Sequence, residues 1–108
     1  MPHQLRRLCN RVPLAIGRTG GYGANSSGDF FLAFSTAEIE TTDNKELRSV
    51  TMLSNESIDQ LFLATVQATE EAIFNALAAA KTMEGMNGNI VHALPMERVM
   101  EMLGSVSQ

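Results

Sequence analysis

Gly17-Arg18-Thr19-Gly20-Gly21-Tyr22-Gly23-Ala24-Asn25-Ser26-Ser27-Gly28-Asp29 runs directly into Phe30-Phe31-Leu32-Ala33-Phe34-Ser35-Thr36. The first stretch holds five glycines in 13 residues, a density that implies sharp turns or close backbone approach. The second is almost wholly apolar, with three phenylalanines, and reads as a strand buried on both faces. A pliable loop thus meets a rigid strand at Ser27-Gly28.

Working outward from this junction, Leu5, Leu8, Cys9 and Val12 recur at helical spacing opposite Arg6, Arg7 and Arg11. Pro13 is expected to stop that helix. Leu14-Ala15-Ile16 fits a short strand. Beyond the apolar run, Glu38 to Glu46 reads as a polar loop and Leu47 to Leu53 as another strand. Ser54-Asn55 opens the main helix, with Glu56 and Asp59 in its first turn, where the helix dipole favours them. Ile58, Leu61, Phe62, Thr65, Thr69, Ala72, Ile73, Ala76, Leu77 and Ala80 form its apolar face. Gly85 and Asn87-Gly88-Asn89 end it. A last helix begins at Pro95 and places Met96, Val99, Met100 and Leu103 on one side, as core filling. The fold class is α+β, with the longest helix packed on a sheet.

Bulk properties narrow the function. At 108 residues the chain is one domain at most. A 44% hydrophobic and 19% charged composition is that of a globular protein. A net charge of −4 gives no support for nucleic-acid binding, and Arg6, Arg7, Arg11 and Arg18 read as a solvated helix face. No apolar run approaches the ~20 residues that span a bilayer. Cys9, the single cysteine, excludes an internal disulfide or a cysteine zinc site; it reads as a small buried thiol. His3 and His92 lack ligand spacing. No metal or cofactor is expected. A cytoplasmic location is the expectation, although any targeting signal would precede Met1 and leaves the compartment open.

The glycines do not form a phosphate loop. That site needs strand, glycines, lysine and helix in order, whereas here the glycines precede the apolar run and no lysine occurs before Lys45. The serines offer a different chemistry. If the Ser27 hydroxyl attacks the carbonyl of Ser26, an ester replaces the peptide bond and water releases Ser27 as a new N-terminus. Its α-amino group then lies beside its own hydroxyl and can act as general base. The reference pKa of roughly 8 leaves a neutral fraction near pH 7. The bland alternative is that Ser26-Ser27-Gly28 is only a turn.

Five segments in order carry a resemblance: Pro2-His3-Gln4-Leu5-Arg6-Arg7-Leu8, Gly17-Arg18-Thr19-Gly20, Ser27-Gly28-Asp29 through Thr36, Ala68-Thr69-Glu70-Glu71-Ala72-Ile73-Phe74-Asn75-Ala76-Leu77, and Ala93-Leu94-Pro95. Together they resemble the L-aminopeptidase/D-esterase family, which includes the β-peptidyl aminopeptidases. The resemblance implies an N-terminal-nucleophile-like αββα sandwich, of which this chain is a fragment. It implies a precursor that cuts itself into α and β chains just before the serine of Ser-Gly-Asp, here between Ser26 and Ser27. Residues 1–26 are then the end of the α region and 27–108 the β region. Ser26 stands where glycine is usual in the family, which keeps the Asn25–Ser26 bond as an alternative cut. The resemblance further assigns Ser27 as nucleophile, with Thr69 and Glu71 as a hydroxyl and a carboxylate beside it. On an ideal helix those two point to nearly opposite sides, so the bland reading is a core threonine and a solvated glutamate.

The implied partners are a peptide or an amino-acid amide or ester as substrate, the missing α region, and further copies in a homo-oligomer. No nucleic acid or membrane is implied. Oxyanion and substrate-amine groups are expected from the α region, so the chain alone is expected to be inert or weakly active, with apolar surface left bare. Two other readings differ in class. A related ornithine-pathway acetyl transferase would use threonine in place of Ser27. A non-catalytic remnant would act as a structural or partner subunit.

Overall fold

A computed structural model of the chain describes residues 1–37 and 51–106. Its elements are helices α1 (Pro2–Cys9), α2 (Val12–Arg18), α3 (Ile58–Ala79) and α4 (Met96–Val106), with strands β1 (Met83–Glu84) and β2 (Ile90–Val91) and a 3₁₀ turn at Met86–Gly88 between them. The chain divides into two compact units, Met1–Glu70 and Glu71–Gln108, and the division falls inside α3.

The first unit is built on α1 and α2. Pro2 and Pro13 each stand in the first turn of a helix, where the N–H that proline lacks has no intrahelical acceptor to lose. Pro13 therefore starts α2 instead of ending α1. The strand expected at Leu14-Ala15-Ile16 is part of that helix, with Ala15 fully buried. The C-terminus of α2 is a Schellman motif: the Gly21 N–H donates to the Ile16 carbonyl (2.9 Å) and the Gly20 N–H to Gly17 (3.2 Å). Gly20 takes φ +100° there, a region that costs other residues roughly 1–2 kcal/mol. A Cβ on Gly21 would stand 2.5 Å from the Ile16 Cγ2. We expect Gly20→Ala to destabilise the chain by about 1 kcal/mol, read as a lower denaturant midpoint at unchanged slope.

Helix α3 is 22 residues long. The residues before it are ordered by two serines: the Ser57 N–H donates to the Ser54 carbonyl (3.2 Å), and their hydroxyls lie 3.0 Å apart. Asp59 occupies the first turn. Ile58 and Val66 are buried, and Phe62, Thr65 and Thr69 are half-buried. Val66 was absent from the expected face, whereas Leu61 on that face is 45% exposed. The buried row thus runs at steps of four from Ile58 through Phe62 to Val66. Contacts with the first helix fix the preceding segment: the Gln4 Nε2 donates to the Leu53 carbonyl, and the Arg7 Nη1 to the Asn55 Oδ1, both at 2.7 Å.

The strand expected at Phe30–Thr36 does not form. Residues 28–37 carry no strand assignment, and Phe30, Leu32 and Phe34 are 100%, 89% and 78% exposed. Phe31 and Ala33 are half-buried, lining cavities of about 300 and 420 Å³ beside α1. Leu32 lines both cavities too, so the segment runs beside α1, but a strand needs a neighbouring strand to complete its hydrogen bonds. Among the described residues no strand pairs with this segment. The expected loop 38–46 and most of the strand expected at 47–53 lie outside the described residues; Thr51, Met52 and Leu53 are not in a strand.

In the second unit, β1 and β2 pair antiparallel, Met83 opposite Val91 and Glu84 opposite Ile90. Asn87 and Gly88 take φ +61° and +73° in the connecting turn, which is why Asn-Gly stands there. The helix ends at Ala79, before Ala80 and the glycines expected to stop it. Helix α4 starts just after Pro95, as expected, but Met96, Met100 and Leu103 are 41%, 63% and 60% exposed. They fill no core among the described residues.

Candidate functional site

The candidate nucleophile sits at the end of two consecutive backbone turns. The Schellman motif fixes Ile16 to Gly21; Tyr22 and Gly23 follow, with Gly23 at φ +67°. A second turn then closes, the Ser27 N–H donating to the Ala24 carbonyl at 2.8 Å. This bond holds the nitrogen of the Ser26–Ser27 peptide in place. Ser26 and Ser27 are both exposed and lie on a turn rather than within a helix or sheet. Asp29 returns towards the second helix, sharing with Pro13, Ile16 and Tyr22 the lining of a cavity of about 250 Å³.

The assisting residues separate. Thr69 lies half-buried in the same compact unit as Ser27. Its hydroxyl donates to the Thr65 carbonyl at 2.7 Å, and the Thr65 hydroxyl donates to Leu61 at 2.7 Å. The Thr69 proton is therefore engaged with its own helix, leaving its oxygen lone pairs as acceptors. Glu71 is exposed and falls in the other unit. At 100° per residue it points about 200° around α3 from Thr69.

The carboxylate that reaches the root of the loop is Glu70. Its Oε2 lies 3.0 Å from the Arg18 Nη2, and the glutamate side chain is 21% exposed against 56% for the arginine. Sequence reasoning missed this pair, although Arg18 falls in the last helical turn before the glycines. It also placed the arginines in solvent. The Arg7 and Arg11 guanidinium carbons instead stand 5.0 and 4.0 Å from the centre of the Phe62 ring, as cation–π contacts. Arg7 lies in α1 and Arg11 just before α2, so the two converge on one ring from either side of the turn between the helices.

Among the described residues no group of three histidine, cysteine, aspartate or glutamate side chains is placed to hold a metal ion. No helix among them is long and apolar enough to cross a membrane.

Comparison with known proteins gives this arrangement a context. The chain is 45% identical over 96 residues to the β-peptidyl aminopeptidase BapA of Sphingosinicella microcystinivorans, covering 88% of this chain and 24% of that protein. It is 39% identical over 101 residues to BapA of Sphingosinicella xenopeptidilytica, covering 92% and 25%. The chain thus spans about a quarter of the length of these relatives. Among solved structures, it superposes on the PH0078 protein of Pyrococcus horikoshii OT3 with a TM-score of 0.85 at 39% identity, covering 98% of this chain and 30% of that one. It superposes equally on the L-aminopeptidase D-Ala-esterase/amidase of Ochrobactrum anthropi, described as a prototype of the serine aminopeptidases and a new variant of the Ntn hydrolase fold. There the TM-score is 0.84 at 39% identity, over 99% of this chain and 31% of that one. Peptidase family S58 matches residues 1–91, which run from α1 through the whole of α3 and the hairpin after it, and the chain belongs to that family.

Proposed function

We propose that this chain carries the nucleophile of a self-processing serine hydrolase of the aminopeptidase type, and that Ser27 is that nucleophile. The observation that carries the reading is the exposed Ser27 at the exit of a hydrogen-bonded turn, inside a segment that matches a peptidase family. In the first step the Ser27 Oγ adds to the Ser26 carbonyl carbon. The C–N bond breaks, the hydroxyl proton passes to the departing amine, and Ser26 is held as an ester on Ser27. Water then adds to the ester, the C–Oγ bond breaks, and Ser26 leaves as a carboxylate. Ser27 becomes the first residue of residues 27–108, with its α-amine beside its hydroxyl.

In the second role the same hydroxyl attacks an amide or ester adjacent to a free amino terminus, with the α-amine as general base. Thr69, in the same compact unit as Ser27, serves as an acceptor near the reacting centre. The fold that completes the site is an αββα sandwich of the N-terminal-nucleophile kind. It includes an α region that supplies oxyanion donors and a seat for the substrate's ammonium group. The exposed Phe30, Leu32 and Phe34 are then interior residues of that sandwich or of a homo-oligomer, and a cytoplasmic location fits the reading.

The test places this chain in that setting. It replaces the matched segment of the Sphingosinicella microcystinivorans enzyme, and hydrolysis of an amino-acid p-nitroanilide is followed with the amine free and with it acetylated. The free-amine substrate is expected to turn over and the acetylated one to resist. Equal rates for both, or no turnover by a folded chimaera, would refute the aminopeptidase reading.

A further inference from the structure

We propose that Arg18 is a positioning residue: through its ion pair with Glu70 it fixes the loop that presents Ser27 against the turn of α3 that carries Thr69. The inference rests on the assignment of Ser27 as nucleophile. The pair joins the last residue of α2 to a side chain one position from Thr69. It is the ion pair that ties these two helices together among the described residues.

The chain between Arg18 and Ser27 has little freedom to absorb a shift. Gly20 and Gly21 are bonded back to Gly17 and Ile16, and Ser27 is bonded back to Ala24. Only Tyr22 and Gly23 lie between the two turns, a span of about 7 Å when extended. Past Ser27 the chain returns, Asp29 sharing a cavity with Pro13 and Ile16 of α2. The nucleophile is therefore carried on α2 from both sides, and wherever α2 sits, Ser27 follows. Arg11 over the Phe62 ring holds the start of α2 on α3, and the Arg18–Glu70 pair holds its loop-bearing end. Misplacement by about 1 Å can cost a reaction some hundredfold. The pair itself is half open to water and adds little to stability, so its removal should disturb placement more than folding.

The experiment has two arms on the same variants. In the full chain with Ser27→Ala, which leaves the 26–27 bond whole, amide hydrogen exchange is measured at residue 27 with and without Arg18→Ala. Exchange at residue 27 is expected to speed about threefold to fivefold, with amides of α1 unchanged. In the chimaera described above, Arg18→Ala and Glu70→Ala are each expected to lower kcat at least tenfold with KM held within about twofold. Arg18→Lys should recover part of the loss, and the exchanged pair Arg18→Glu with Glu70→Arg most of it. Unchanged exchange and unchanged kcat would overturn the positioning role. So would a loss that the exchanged pair fails to recover, or one matched by a fall in melting temperature. Activity that survives Ser27→Ala would instead refute the nucleophile assignment, and the exchange arm would still decide whether Arg18 holds the loop.

Discussion

Ser27→Ala is expected to leave the Ser26–Ser27 bond uncut and to lower amide hydrolysis by at least ~10³-fold, since removing a nucleophile costs more than any single supporting group. The substitution should leave the fold intact. The Ser27 side chain is exposed, and the contact it makes with the turn is through its backbone N–H to Ala24, which alanine retains. Ser27→Cys keeps a nucleophile at the same point and should retain part of the cleavage. Ser26→Ala is the matching control, because Ser26 contributes its carbonyl and not its hydroxyl. It should cut as the unaltered chain does. Loss of cutting in Ser26→Ala with retention in Ser27→Ala would move the scissile bond to Asn25–Ser26. The readouts are the chain lengths after purification and the rate of p-nitroaniline release.

The second large effect is on stability. Ile58→Ala is expected to cost about 3 kcal/mol, within the range for truncating a buried isoleucine. Ile58 is 1% exposed at the first position of α3 and is the largest fully buried side chain among the described residues. The buried set of that unit is small, with Ala15, Val66 and the Gln4 amide as its other members. Native domains hold only about 5–15 kcal/mol in total, so this one truncation removes a large share. Urea titration followed by circular dichroism reads it as a lower midpoint. Leu61→Ala, at a position 45% exposed on the same helix, should move the midpoint far less. Equal shifts from the two would contradict the burial assigned to Ile58.

The sequence made some of this legible and hid the rest for physical reasons. Helical spacing marked α1, α3 and α4, because a 3.6-residue period survives whatever the helix later packs against. Pro95 marked the start of α4 for the same local reason. Pro13 misled, since proline suits both the end of one helix and the first turn of the next; only the bonds of Asn10 and Arg11 back to Arg6 and Leu8 show α1 closing before it. The Phe30–Thr36 segment misled differently. Its composition is that of a central strand, but strand formation is a property of a pair, and the described residues supply no partner. The β1–β2 hairpin was missed because two-residue strands leave no periodic trace, although Asn87-Gly88 was a usable turn signal.

The candidate site divides in the same way. Ser27 was legible from the junction of glycine loop and apolar run, a local feature, and from resemblance. The Arg18–Glu70 pair was not, because the two residues are far apart in sequence and no local pattern couples them. Thr69 and Glu71 were taken together from the motif, yet a two-residue step on a helix places them on nearly opposite sides.

The central claim is that Ser27 is a self-activating nucleophile, and intact mass tests it most directly. The chain is purified within the chimaera, with its own sequence, with Ser27→Ala and with Ser26→Ala. The account predicts that the unaltered and Ser26→Ala proteins resolve into two pieces, the second beginning at residue 27, and that Ser27→Ala remains a single uncut chain. An uncut mass for all three, or a second piece beginning at Ser26, would contradict it.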